Sequence, residues 1–296
     1  MTPARLRTPL AAPTPEPAER VVVFHYHLFK NAGTSVDEML RLNFGERWVA
    51  REFEPRGNPA LHAKDVANWL LSQPQAIAFS SHTAELPPPR LPGLRLIPIV
   101  LLRHPLDRIA SAYAFERRQS GNGFGAVLAR HTTLAGYVDV RLAMAHDRQC
   151  RDFHVGRLCR MFPLGEGSEL ERAQRALAAL PFVGLVERFE ASMQRLARMV
   201  REHYPDFRAT DVAANSSRDP RLGLQERLAQ MREHIGAERY EALLAANAAD
   251  MALYDNACAI CTNDERGQPV TMEHICVDVS FPHRLTLDCH TSITAD

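Results

Sequence analysis

Val21-Val22-Val23-Phe24-His25-Tyr26-His27-Leu28-Phe29-Lys30-Asn31-Ala32-Gly33-Thr34-Ser35 is the stretch whose reading decides the fold. Its valine run is too short for a buried helix and fits a fully buried parallel strand. Thr34-x-x-Asp37 and Ser35-x-x-Glu38 both match a capping box, which predicts a helix starting near Thr34. Val36, Met39, Leu40 and Asn43 then share one side of that helix. A strand, a small-residue loop and a helix N-terminus together form an anion site, because backbone N–H groups and the helix dipole point at the gap. One residue of the loop is unusual for this chain. Only Lys30 and Lys64 are lysines among 35 basic residues. An ammonium is a compact point charge where a guanidinium is a planar fork, and a tight turn around one phosphate-like group suits the ammonium.

Outward from this stretch the pattern repeats. Residues 76–81 form a second short apolar run ending at His82. Residues 96–102 give the strongest strand pattern, interrupted by Pro98, and end at Arg103. Pro105 then fits the first turn of a helix. Residues 182–186 read as a further strand, followed by a helix marked by Phe189, Met193, Leu196 and Val200. Helices are also expected over 169–179, 222–235 and 237–253, whereas 120–165 carry the weakest pattern. Strands alternating with helices predict an α/β fold, a three-layer domain around a central, mainly parallel sheet. The Pro-rich residues 1–19 read as a disordered leader, residues 20–256 as the domain, and 257–296 as a Cys/His-containing extension of unknown role.

Composition narrows the partners. The formal net charge is zero, so no global field draws the chain to nucleic acid, and any anion must be met by a local cluster. No apolar run approaches the ~18–20 residues of a membrane span, and the N-terminus lacks the apolar core of a signal peptide. A cytoplasmic location is expected. The six cysteines are then expected as reduced thiols. Cys258-x-x-Cys261 with Cys276, Cys289, His274, His283 and His290 gives a weak zinc pattern, because the second half lacks a matching pair. No metal is expected.

A second anion site lies at Arg103-His104-Pro105-Leu106-Asp107-Arg108-Ile109-Ala110-Ser111. On a helix starting at Pro105, Leu106, Ile109 and Tyr113 share one face, and Asp107, Arg108 and Ser111 project from the other. Arg103, at the carboxyl end of a strand, and the Ser111 hydroxyl can hold a phosphate from two directions. The plainer alternative is an exposed Arg pair on a solvated helix. Two anion sites on one sheet edge suit a nucleotide phosphorylated at both ends of its ribose.

At this point the chain resembles the sulfotransferases that use 3′-phosphoadenosine-5′-phosphosulfate (PAPS), in the branch of carbohydrate 2-O-sulfotransferases and bacterial relatives. Lys30-Asn31-Ala32-Gly33-Thr34-Ser35 is similar to that family's 5′-phosphosulfate loop, with Asn31 where relatives often carry Thr. Arg103 and Ser111 look like its 3′-phosphate pair, and 185–189 resembles a further segment at the same relative place. The resemblance covers about residues 20–256. It implies the P-loop-like sulfotransferase fold, a PAPS co-substrate and a hydroxyl acceptor, with a carbohydrate as the expected class. Lys30 would neutralise the bridging oxygen, the amides of 32–35 would hold the phosphate, and adenosine 3′,5′-bisphosphate would leave.

His82 is the expected general base. It ends a strand on the same sheet edge, its type titrates near neutrality, and it matches the catalytic histidine of the resembled branch. Glu85 and Glu116 are the alternative bases, and His25 and His27 are expected to be core histidines bonded to backbone. The competing functions are a nucleotide-dependent kinase and a catalytically silent nucleotide or glycan binder. A kinase loop of the Gly-x-x-x-x-Gly-Lys-Ser/Thr form would place its lysine after the last glycine, whereas Lys30 precedes Gly33.

Overall fold

The computed structural model describes residues 19–209 and 222–265. Five parallel strands build the sheet: β1 (Arg20–Tyr26), β2 (Trp48–Ala50), β3 (Ala78–Ser81), β4 (Leu94–Leu102) and β5 (Val183–Leu185). Their order is β2-β3-β1-β4-β5. The chain fills one side of β1 first and then crosses to the other, so β1 lies centrally with its carboxyl end between those of β3 and β4. Parallel pairing puts all these ends on one edge, where open α/β sheets bind ligands. Register carries this through: Tyr26 is level with Ser81 and His25 with Ile99.

Helices cover both faces, because the central strands are buried on both sides. Val23, Ile99 and Leu101 pack against Val36, Met39 and Leu40 of α1 (Gly33–Phe44), and against the helix Phe189–Arg201, which buries Met193, Leu196 and Val200. Val22, Phe24, Phe79 and Val100 pack on the opposite face against Trp69 and Leu70 of α2 (Pro59–Ser72) and helices from the second half of the chain. The result is a three-layer α/β domain. Pro98 is tolerated in β4 because β5 pairs only with Val100–Leu102, leaving no ladder on that side of the proline.

A third apolar cluster stands beside the sheet. Leu106 and Ile109 of α3 (Pro105–Arg118) meet Tyr137 and Val138 from the helix Leu134–Ala143, and Leu228, Met231 and Ile235 from the helix Leu224–Ile235. The other face of α3 is not solvated as the sequence suggested. Asp107, Arg108 and Ser111 are buried there too, which removes the exposed-Arg alternative.

Several boundaries differ from the sequence reading. α1 begins at Gly33 with Ala32 as its N-cap, and no side chain caps it. Asp37 turns instead to two histidines and Glu38 to Arg41, so the two capping boxes do not form. The helix expected over 237–253 is two, Ala237–Ala246 and Ala248–Glu265, divided at Asn247. The second of these runs past residue 256 and buries Cys261 against the sheet core. Residues 1–18 of the leader, and Cys276, Cys289, His274, His283 and His290 of the extension, lie outside the described residues. Among the described residues, no helix is long and apolar enough to cross a membrane.

Candidate active site

Residues 28–35 carry the chain from β1 into α1. Lys30 (φ 64°) and Ala32 (φ 59°) both adopt left-handed backbone, which side chains other than glycine rarely do. Such conformations cost roughly 1–3 kcal/mol each and gather at ligand clamps. Gly33 has no positive φ to explain it. A Cβ there would sit 2.0 Å from His27 Cδ2 and 2.1 Å from its Nε2, so the ring of the preceding strand residue dictates the glycine. With no side chain over the first turn, the N-terminus of α1 keeps its backbone donors toward the edge. Lys30 Nζ rests 4.3 Å from the centroid of the Phe115 ring, on α3.

Under the loop lies a histidine–aspartate unit. His25 Nδ1 is 2.7 Å and His27 Nδ1 2.8 Å from the two oxygens of Asp37. These partners replace the backbone bonds expected for both histidines. Burial pushes the Asp37 carboxyl up, but the two imidazole bonds outweigh it and hold the group well below the usual range. An ionised carboxylate only accepts, so each Nδ1 carries its proton. Burial also lowers His27 to about 4, against the pull of Asp37, and keeps that ring neutral near pH 7. Among the described residues these three form the group whose ligand atoms lie within 4.8 Å of one another, close enough for a metal ion. A metal would have to displace both hydrogen bonds.

On the β3 side, His82 stacks on His27 with ring centroids 3.7 Å apart. His82 Nδ1 is 2.7 Å from Glu52 Oε1, and Glu52 also accepts from the His82 amide and the Thr83 hydroxyl. Burial raises Glu52, but these bonds more than offset it and its acidity is strengthened. Glu52 is therefore an acceptor and His82 donates from Nδ1, so the neutral ring carries its lone pair on Nε2. That is the tautomer of a base. Glu52 lies thirty residues upstream in a loop, and nothing in the sequence singled it out. The alternative bases are engaged elsewhere: Glu85 pairs with Arg160, and Glu116 with Arg141 and the Tyr137 hydroxyl inside the third cluster.

On the β4 side, Arg103 is only 4% exposed. Its Nε donates to Asp107 over 2.8 Å, and its terminal nitrogen to the Lys30 carbonyl over 3.1 Å, tying the strand end to the loop. Asp107 receives a second guanidinium, Arg227, at 2.8 Å. Two guanidiniums and one carboxylate leave a net positive charge beside Lys30. Ser111 is one turn beyond Asp107 on the same face of α3, also buried. Arg227 is 120 residues from Asp107, too far for any spacing signal. Asn31, in the loop, is 1% exposed and faces His154, with Oδ1 3.1 Å from Nε2. The loop, Arg103 and His82 thus share one edge, whereas Cys258 and Cys261 lie on the final helix in no disulfide, with Cys261 Sγ donating to the Val183 carbonyl.

No family model matches the sequence. The chain is 42% identical over 245 residues to an uncharacterized protein of Archaeoglobus fulgidus, an alignment covering 80% of this chain and 95% of that relative. The chain belongs to the family of this archaeal protein.

Proposed function

We propose that this chain transfers a sulfonate group from PAPS to an acceptor hydroxyl. The observation that carries the reading is the convergence of three unlike devices on one sheet edge. These are an uncapped helix N-terminus with Lys30, a positive pair of buried Arg103 and half-buried Arg227, and an imidazole whose lone pair is set by Glu52. The resemblance of the loop and of the Arg103–Ser111 pair to PAPS sulfotransferases supplies the donor, and the resembled branch makes a carbohydrate the acceptor class.

In the proposed reaction the acceptor oxygen bonds to sulfur as His82 Nε2 takes its proton. The bond from sulfur to the bridging oxygen breaks, and its electron pair leaves on the 5′-phosphate. Lys30 and the amides at the start of α1 neutralise that charge as it grows, the usual electrostatic route for such transfers. Glu52 stabilises the imidazolium from Nδ1. The donor arrives activated, so the step needs no Lewis acid. Arg103, Arg227 and Ser111 are assigned to the 3′-phosphate.

The test is incubation with labelled phosphosulfate donor, in a chelator, against a panel of glycans, lipids and phenols. Transfer to a glycan without divalent metal is the expected result. Transfer to no acceptor, together with no calorimetric binding of adenosine 3′,5′-bisphosphate, overturns the reading. Turnover that requires ATP and magnesium replaces it with a kinase.

A further inference from the structure

Asn31 sits between two left-handed residues, and its carboxamide is gripped from one side. His154, the second residue of the helix Phe153–Leu158, points Nε2 at Asn31 Oδ1 over 3.1 Å. Its other ring nitrogen, Nδ1, is 3.1 Å from Asp250 Oδ2, so both ring nitrogens face acceptor oxygens and the ring donates from each, as the imidazolium of a buried pair with Asp250. Asp250 is fixed in turn by the amides of His154 (3.0 Å) and Val155 (2.7 Å), while its own amide donates to Asp152. Asn247 completes the frame, accepting from the Asp152 amide and donating to the Cys150 and Leu243 carbonyls. Burial pushes Asp250 up, but His154 and these amides hold it below the usual carboxylate range. His154 and Asp250 are each about 1% exposed.

Such a network is costly to bury unless each member is satisfied. Packing alone would be served by apolar residues, so its geometry asks for another account. Turning the Asn31 oxygen to His154 turns its NH2 the other way. There the internal acceptor is the Phe29 carbonyl at 3.5 Å, the outer limit of a hydrogen bond. Among the described residues this long bond is the one that the amide donor makes.

We infer that His154, backed by Asp250, is a positioning residue that presents the Asn31 NH2 group to an oxygen on the 5′ side of the donor nucleotide. The inference rests on the proposed function, because it assigns the loop to the 5′ end. It also explains why a carboxamide is suited here: one end is anchored while the other donates, which a hydroxyl rotor does not enforce.

A calorimetric double-mutant cycle tests it, with adenosine 3′,5′-bisphosphate and adenosine 3′-monophosphate as the two probes. His154→Ala and Asn31→Ala should each weaken the bisphosphate by about tenfold, as loss of one hydrogen bond to a charged group does. The double variant should be no weaker than Asn31→Ala alone. Affinity for the 3′-monophosphate, which lacks the 5′ group, should be unchanged in all three. His154→Gln, which can still donate to the Asn31 oxygen, should recover part of the loss and carries the comparison if the alanine variant does not fold. Additive losses, or equal weakening of both probes, would overturn the inference while leaving the sulfotransferase reading standing. If the native protein binds neither probe, both fall.

Discussion

On the β3 side of the loop, a half-exposed carboxylate holds an imidazole at the surface. On the β4 side, a buried carboxylate holds two guanidiniums, one buried and one half-buried. Glu52 and His82 are each 52% exposed at the side chain, whereas Asp107 and Arg103 are 4% and 5% exposed. Exposure suits a group that must meet an acceptor and exchange a proton. Burial suits a charge that must neither move nor titrate. Under the proposed function the two flanks divide the chemistry into a mobile proton and a fixed field, a division that experiment can break.

Asp107→Ala should have the largest effect. It strands the buried Arg103 guanidinium beside half-buried Arg227, and losing one partner of a buried ion pair costs about 3–5 kcal/mol. Chemical denaturation measures it directly, and a loss below about 1 kcal/mol would mean that the β4 flank is solvated after all. His82→Ala should do the reverse. Turnover should fall roughly 10²–10⁴-fold, while stability stays within about 0.5 kcal/mol; a marked drop in the thermal midpoint would make His82 a structural residue.

The acid response should separate the flanks further. His27 in the folded protein titrates at about 4, against ~6.5 in an unfolded chain. The unfolded chain therefore binds the proton first, and stability should fall as pH drops from about 6.5 to about 4, by up to about 3 kcal/mol. Asp37 is held below its ordinary value and adds a further loss below roughly pH 4, where the unfolded carboxyl protonates first. His27→Gln should flatten the upper window. Arg227→Met, on the other flank, should leave that slope intact, since a guanidinium does not titrate there. Glu52→Gln should have the smallest effect, a fall of about tenfold in kcat with donor KM unchanged, because the base remains but its tautomer is no longer enforced. An altered KM with constant kcat would move Glu52 from the proton to the nucleotide.

The strands that build the edge were legible because each is a short apolar run ending in a polar residue: Tyr26 before His27, Ser81 before His82, Leu102 before Arg103. β2 was not. Its three residues, Trp48–Ala50, are half-buried or exposed at the sheet margin, an apolar run too short to stand out. The helices Phe124–His131 and Leu134–Ala143 were obscure because they pack beside the sheet rather than on it, so their apolar positions follow the third cluster, whereas Val155 and Leu158 of the short helix after them join the sheet core. In the site, residues that touch the loop from adjacent strand ends could be read from position. Glu52, Arg227, His154 and Asp250 could not. Each arrives from a distant segment, and a lone acid or base at long sequence separation leaves no spacing to detect.

The contact between Gly33 and the His27 ring has a consequence for the family as it diverges. The ring is pinned by Asp37 below and His82 beside it, so it has no room to retreat. Positions 27 and 33 thus behave as a single size-limited unit: a relative can enlarge the second only if it shrinks the first. Shrinking the first also removes the platform on which residue 82 lies. Drift at the loop glycine is therefore coupled, through volume alone, to the orientation of the imidazole on the neighbouring strand.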